Sequence, residues 1–420
     1  MRISGSDAVL VASRILKRQD FLEHGRMYLT SLLDADGEVI DRVLAVKFTA
    51  PHSYTGEDTV EVHTHGGSFI ARRCLELAIV NGARLAEPGE FTRRAFENGR
   101  IDLAQAEGVL GVIQARSDEA LKAAARTMTG ELSRKVEEVH AEILAIQGSL
   151  EVQLDFPEGE SYGAGIDAGL QQVLDSLTEL EARCSAGMLL REGVRAVIAG
   201  RPNAGKSSLL NALLGRSRAI VTDIPGTTRD TIEEGIIING VPVRLIDTAG
   251  LRETDNIIEA EGVRLALEAV NEGDVCLYVV DASRELSDED REYLRTLEGR
   301  KALVVLNKSD LPCVADTESI TLPKIHVSAK NRTGLEELKS WLYDTACSEA
   351  AVSEGLNVSV SQLAEIRSAR EAVSDALESV SEDITAGLLN SARMSLLRVL
   401  GVDAGDELLD SMFSRFCVGK

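Results

Sequence analysis

Residues 200–207 read GRPNAGKS, a G-x-x-x-x-G-K-[ST] spacing, and they stand between an apolar run and the helix-like SLLNALLG. In that setting the residue types have a chemical logic. Gly200 and Gly205 let backbone N–H groups curl around phosphate oxygens, and the start of the following helix adds partial positive charge. Lys206 can reach the β- and γ-phosphates, and the Ser207 hydroxyl can hold Mg²⁺. Asn203, Ala204, Gly205, Lys206, Ser207 and Ser208 form the candidate phosphate cradle. The bland alternative, a glycine-rich turn that binds nothing, does not account for the strand–loop–helix context.

Three further elements follow. DTAG at 247–250 closes an apolar run. Asp247 can hold Mg²⁺ through water, and Thr248 and Ala249 lead to Gly250, whose N–H can meet a γ-phosphate. NKSD at 307–310 closes a later run (Asn307, Lys308, Asp310). A carboxylate at Asp310 accepts two N–H donors from guanine, which adenine cannot present. SAK at 328–330 (Ser328, Ala329, Lys330) supplies a base-side loop. Each piece alone is weak. Four in order on strand ends imply a GTP site, in a pattern that resembles the translation-factor-like branch of GTP-binding proteins.

The segment TDIPGTT at 222–228 supplies a candidate switch: Thr222, Asp223, Ile224, Pro225, Gly226, Thr227 and Thr228. Thr228 is the candidate second hydroxyl on Mg²⁺. No glutamine follows DTAG; Leu251, Arg252 and Glu253 stand there instead. A carboxylate must then orient the attacking water, and Glu259 is the candidate, the alternative being a solvated glutamate at a helix start. The Asn203 side-chain oxygen, with carbonyls of Thr222 and Ile224 and an oxygen of Thr227, could hold a monovalent cation that offsets transition-state charge. Asn203 as a turn former is the equal alternative.

These loops need elements to position them. Five of the eight prolines fall between 202 and 323, and none between 89 and 156 or after 323. Proline breaks helix interiors, so long helices can run in those gaps. Apolar residues at three- and four-residue spacing support this: Leu103, Ala106, Val109, Leu110 and Ile113, then Leu132, Val136, Val139, Ile143 and Ile146. In the middle, the runs at 195–200, 243–250, 274–282 and 301–310 read as buried strands alternating with helices, which implies a parallel doubly wound sheet. The front is mixed, with strands at 26–34 and 59–65 and a helix at 68–82. The expected fold is α/β and α+β multidomain. It comprises an α+β front domain (1–98), a discontinuous all-α domain (99–190 and 347–420) and an inserted doubly wound P-loop domain (191–346).

Composition sets the remaining bounds. The 420 residues carry a net charge of −23, which argues against a general nucleic-acid coat. The front domain is close to neutral at −2, whereas the helical pieces carry −9 and −6. The six widely spaced cysteines include no C-x-x-C pair, so reduced thiols are expected rather than a disulfide frame or zinc site. His63 and His65 alternate on a strand without a third ligand, so a structural role is the better reading than a metal pair. The opening MRISGSD contains no n-region leading into an apolar h-region, and no apolar run reaches ~18 residues. A cytoplasmic location without membrane attachment is therefore expected.

RISG (2–5), YTGEDTVEVHTHGG (54–67), PGEFTRRAFENGRIDLAQAE (88–107), DFP (155–157), LLREG (189–193), the phosphate-site block and the terminal FCVGK (416–420) resemble the MnmE (TrmE) family of tRNA-modification GTPases. The likeness runs through the whole chain in order. It implies a folate-binding front domain, a helical domain in two halves and an inserted G domain. It also implies a homodimer whose G domains meet in a potassium-activated cycle. The implied partner is an FAD-dependent MnmG-like protein, forming a heterotetramer that acts on tRNA. The implied chemistry builds an aminomethyl or carboxymethylaminomethyl group on carbon 5 of the wobble uridine, using a 5-formyl- or 5,10-methylene-tetrahydrofolate one-carbon unit. By position, the resemblance places K⁺ on Asn203, Thr222, Ile224 and Thr227, and the catalytic carboxylate at Glu259. It places folate on Arg2, Glu61, Arg100 and Lys420. The three cations suit glutamyl carboxylates, and Glu61 suits pterin donors. Arg100 stands where lysine is commoner, which keeps charge but changes geometry. Members usually carry a further strand ahead of RISG, so either a first strand of the front domain is absent or the start lies further upstream. Cys417 is a candidate thiol, with a packing cysteine as the alternative and no nearby base in the sequence. A regulatory GTPase switch associated with RNA or the ribosome is the competing function; it would need neither the front domain nor FCVGK.

Overall fold

The computed structural model describes residues 1–17, 23–155, 163–215, 234–247, 274–346 and 352–419. The chain forms two compact units, one of Met1–Leu110, Thr127–Leu177 and Ala364–Lys420, the other of Gly111–Arg126 and Thr178–Leu363.

The first unit begins with an antiparallel sheet of β1 (Arg2–Ser4), β2 (Met27–Leu33), β3 (Val39–Phe48) and β4 (Thr59–His63), in the order β1-β4-β3-β2. Strand alternation decides its faces. Tyr28, Thr30 and Leu32 point to the core, while Met27 and Leu29 are exposed. The buried face includes Val43, Ala45, Val60 and Val62, covered by Val11 and Ile15 of helix Ala8–Ile15 and by Cys74 and Leu77 of helix Ser68–Val80. The sequence left β3 unassigned because Asp41, Arg42 and Lys47 interrupt its apolar pattern.

The helical stretch expected from 101 onward is three helices, Leu103–Gln114, Asp118–Met128 and Glu131–Asp155. Near the chain end, Leu409, Met412, Phe413 and Phe416 pack against Leu103, Ala106 and Leu110. Arg93 pairs with Asp410, and Pro88 bridges to Val418. These contacts hold Phe416 and Val418 beside Leu103 and Pro88 within this unit.

The second unit is built on a six-stranded sheet. Its strands are β5 (Val194–Ala199), β6 (Glu234–Ile238), β7 (Val241–Asp247), β8 (Val275–Asp281), β9 (Ala302–Asn307) and β10 (Lys324–Val327), in the order β10-β9-β8-β5-β7-β6. The sheet is doubly wound as expected. Leu209 and Leu213 of helix Lys206–Leu214 and Leu338 and Leu342 of helix Leu335–Ala346 join one core cluster with Ile198, Leu277 and Leu303. On the other side, Tyr293 and Leu294 of helix Asp288–Thr296 join Val197, Cys276 and Val304. Buried on both faces, β8 and β9 read as unbroken apolar runs. One strand departs from the parallel expectation: β6 pairs antiparallel with β7. Asn239 at φ 47° and Gly240 at φ 85° make the tight connection, and an Asn-Gly pair favours that hairpin. Among the described residues, no helix is long and apolar enough to cross a membrane.

Candidate active site

The phosphate loop connects the end of β5 to helix Lys206–Leu214. Asn203 has φ 65° and is exposed, and Gly205 has φ 98°. A left-handed backbone at Gly205 brings the loop close to Asn307; a Cβ there would lie 2.2 Å from Asn307 Nδ2. Lys206 folds back over the loop, its Nζ donating to Gly200 O at 2.8 Å and Arg201 O at 2.9 Å. It is buried, so these carbonyls satisfy an ammonium that would otherwise be costly to desolvate. Ser207 and Ser208 are exposed in the first turn of the helix. Arg201 is paired with Glu289 at 3.0 Å.

The NKSD and SAK segments are fastened to that loop. Asn307 is 2% exposed, its Nδ2 donates to Ala204 O at 3.0 Å, and its Oδ1 accepts from Ala329 N at 3.2 Å. Lys308 Nζ donates to Asn203 O at 3.1 Å and to Asp281 Oδ2 at 2.6 Å. Ser328 Oγ donates to Asp310 Oδ1 at 2.6 Å, and Asn331 N donates to Ser328 Oγ at 3.1 Å. The Ser328 hydroxyl thus holds the Asp310 carboxyl below its ordinary value. Asp310 and Lys330 are exposed. Asn307, Asp310 and Ser328 therefore form a rigid rim from which an ionised carboxylate projects, able to accept from N–H donors of a base.

Asp281 was not singled out from the sequence. It ends β8 in register with Asn307, and its side chain reaches Lys308; its signal was an acid closing an apolar strand beside the phosphate-loop strand.

Asp247 ends β7 next to β5, in register with Ile198. Thr222, Asp223, Ile224, Pro225, Gly226, Thr227, Thr228, Thr248, Ala249, Gly250 and Glu259 lie outside the described residues, as does Lys420.

A second candidate site lies in the first unit. A cleft of about 780 Å³ is lined by Arg2, Glu61 and Arg94, by Leu75, Ile79 and Phe91, and by Val418 and Gly419. Arg2 faces Glu61 across the β1–β4 register. Its Nε donates to Glu61 Oε1 at 2.8 Å, and the guanidinium lies 5.0 Å from the Tyr54 ring centroid and 5.4 Å from that of Phe91. The two charges expected at different ends of a ligand are thus side by side. Arg100 is exposed and does not line the cleft; its backbone N donates to Ala95 O. The sequence reading missed Arg94, which donates to Glu57 Oε2 at 2.8 Å and Glu90 Oε1 at 2.6 Å. The Arg84 hydrogen bond leads the causes that hold Glu90 at about 2.

Cys417 is exposed rather than packed in a core. Burial pushes Cys184 and Cys276 up to about 12, which makes them inert thiols. His65 Nδ1 lies 2.6 Å from Asp41 Oδ1, and no group of metal-ligating side chains is present among the described residues.

Two family descriptions match this chain: "GTP-binding protein TrmE N-terminus" over residues 1–100 and "MnmE helical domain" over residues 103–417. The tRNA modification GTPase MnmE of Geobacter sulfurreducens is 43% identical over 440 residues, covering 100% of this chain and 95% of that protein. The protein of the same name from Symbiobacterium thermophilum is 43% identical over 438 residues, covering 100% of this chain and 96% of its own. Among solved structures, the G domain of the T. maritima FeoB iron transporter aligns with 36% of this chain and 98% of its own, at 27% identity and a TM-score of 0.26.

Proposed function

The chain belongs to the MnmE (TrmE) family, and from that premise we propose that it is a GTP hydrolase acting in the modification of the tRNA wobble uridine. The observation that carries the nucleotide assignment is the joining of the Asn307–Asp310 rim to the phosphate loop through Asn307 and Lys308. Phosphates and base are thereby gripped at a fixed spacing. Asp310 selects guanine by accepting its N–H donors. Lys206 leaves its loop carbonyls for phosphate oxygens, a charge-assisted exchange.

The residues present suit the implied ions. Ser207 is exposed at a helix start, and with Thr228 and Asp247 it would hold Mg²⁺, which would offset phosphate charge. Asn203 is exposed in a left-handed turn, and with Thr222, Ile224 and Thr227 it would supply the oxygens that hold K⁺. That ion supplies positive charge to the transition state. Glu259 orients the attacking water.

The front cleft suits a folate. Its volume lies within the ordinary range for small-molecule sites, and it offers the Phe91 ring, the apolar Leu75 and Ile79, and the Arg2–Glu61 pair. Arg2 and Glu61 together meet one polar end of the ligand. Arg100 and Lys420 belong to the family's set for the same ligand. A bound tetrahydrofolate derivative supplies the one-carbon unit. We further propose the four-segment domain division at 98/99, 190/191 and 346/347, a homodimer, and an FAD-dependent MnmG-like partner that completes the aminomethyl or carboxymethylaminomethyl chemistry. With a net charge of −23, the chain leaves part of the tRNA contact to that partner.

Phosphate release from GTP and from ATP by the full chain tests the assignment. Saturable turnover of GTP with at least about 100-fold preference over ATP is expected, since adenine leaves the Asp310 carboxylate unpaired. Equal use of both nucleotides would overturn it.

A further inference from the structure

The Asp281 carboxylate is 11% exposed and sits where the end of β8 meets the nucleotide site. Its Oδ1 accepts from Ser283 N at 3.1 Å and from the Ser283 hydroxyl at 2.6 Å. Its Oδ2 is then aimed at Lys308 Nζ, 2.6 Å away. The same ammonium donates to the Asn203 carbonyl at 3.1 Å. One charged group therefore ties together the end of β8, the NKSD segment and the phosphate loop. Arg284 Nε, 3.6 Å from the same carboxylate, belongs to a largely exposed side chain and competes weakly.

From this chain of contacts we infer that Asp281 is a positioning residue for nucleotide binding, holding the Lys308 ammonium on the Asn203 carbonyl so that the base-side and phosphate loops meet the nucleotide at one spacing. The inference rests on the guanine-nucleotide reading of the site. Two features support it. Burial works to raise the Asp281 pKa, yet Lys308 and Ser283 hold it below its ordinary value, so the carboxylate stays ionised at neutral pH. Lys308 also has a φ of 64°, a conformation unusual for a residue with a side chain, which the two hydrogen bonds at its Nζ help to hold. Asp281 touches no nucleotide atom in this account; it acts through Lys308.

The test uses the full chain, a fluorescent GDP analogue and steady-state GTP turnover. Asp281→Asn keeps the shape and removes the charge. The expected result is about tenfold weaker GDP binding and a matching rise in KM, with kcat within about twofold of wild type, the size of one charge-assisted hydrogen bond. Adding Asp281→Asn to Lys308→Met should change affinity by less than about twofold, because the partner is already gone. Arg284→Ala should bind as wild type does. Ser283→Ala, which removes only the hydroxyl orienting the carboxylate, should weaken binding about threefold; it carries the test if Asp281→Asn does not melt cooperatively. Wild-type affinity in Asp281→Asn, or full multiplication of the two losses in the double variant, would overturn the inference while leaving the guanine reading intact. A wild-type chain that binds no guanine nucleotide would instead overturn the guanine reading and take this inference with it.

Discussion

Replacing Gly205 by alanine probes how tightly the base-side rim is built against the phosphate loop. Gly205 has φ 98°, and its new Cβ would stand 2.2 Å from Asn307 Nδ2. The left-handed backbone costs a residue with a side chain about 1–2 kcal/mol. Relief of the clash requires the buried Asn307 amide to move. That breaks its donation to Ala204 O and disturbs its acceptance from Ala329 N, at about 1 kcal/mol each. Together these amount to about 3 kcal/mol, and each ~1.4 kcal/mol is tenfold in affinity, so GDP binding should weaken at least about 100-fold. Titration of a fluorescent GDP analogue measures the loss, and a thermal melt separates it from unfolding. In an Asn307→Ala background the clash is absent, and Gly205→Ala should cost only the backbone part. Affinity within about threefold of wild type in the single variant, with an unchanged melt, would refute the packing argument, because it leaves no place for ~3 kcal/mol.

Glu90 gives an acid-range prediction. Its pKa falls from 4.5 to about 2, first because of the Arg84 hydrogen bond. A depressed carboxyl stabilises the fold fully above about pH 4.5, and the stabilisation is lost as pH falls toward about 2. Glu90→Gln should cost about 1 kcal/mol at neutral pH, since solvent screens the exposed Arg84, and should flatten the melting temperature over that window. A variant that melts with the wild-type acid profile would exclude the contribution. GTP turnover in K⁺ should exceed that in Na⁺ by at least about tenfold if Asn203 joins a cation that offsets transition-state charge; equal rates would remove that role. Glu259→Ala should slow single-turnover hydrolysis about 100-fold or more with GDP affinity unchanged, and hydrolysis at the wild-type rate would refute its assignment.

Much of the second unit was legible because its strands are buried on both faces. The runs ending at Ala199, Asp281 and Asn307 are apolar but for Arg195 and the closing Asp281 and Asn307, so both their type and the loops they carry could be read directly. The antiparallel β6 was missed although Ile236, Ile237 and Ile238 and the Asn239-Gly240 turn announced it, because so short an apolar run does not by itself tell strand from helix. Asp281 and Arg94 were illegible for a different reason. An acid or a cation in isolation reads as a solvated side chain, and only folding brings Lys308 to one and Glu57 to the other, although Glu90 stands four residues before Arg94 on the same helix. Arg2 and Glu61 could be nominated singly, but their pairing depends on a β1–β4 register that no local pattern encodes. The exposure of Cys417 depends likewise on which face of the terminal segment Phe416 takes into the core.

GTP hydrolysis that serves tRNA modification leaves its record in the modified nucleoside itself. The gene is deleted in its own host, total tRNA is digested, and the wobble nucleosides are separated and weighed by mass spectrometry. Loss of the 5-aminomethyl and 5-carboxymethylaminomethyl uridines is expected, restored by the wild-type chain but not by Gly205→Ala. Unchanged levels of those nucleosides in the deletion strain would contradict it.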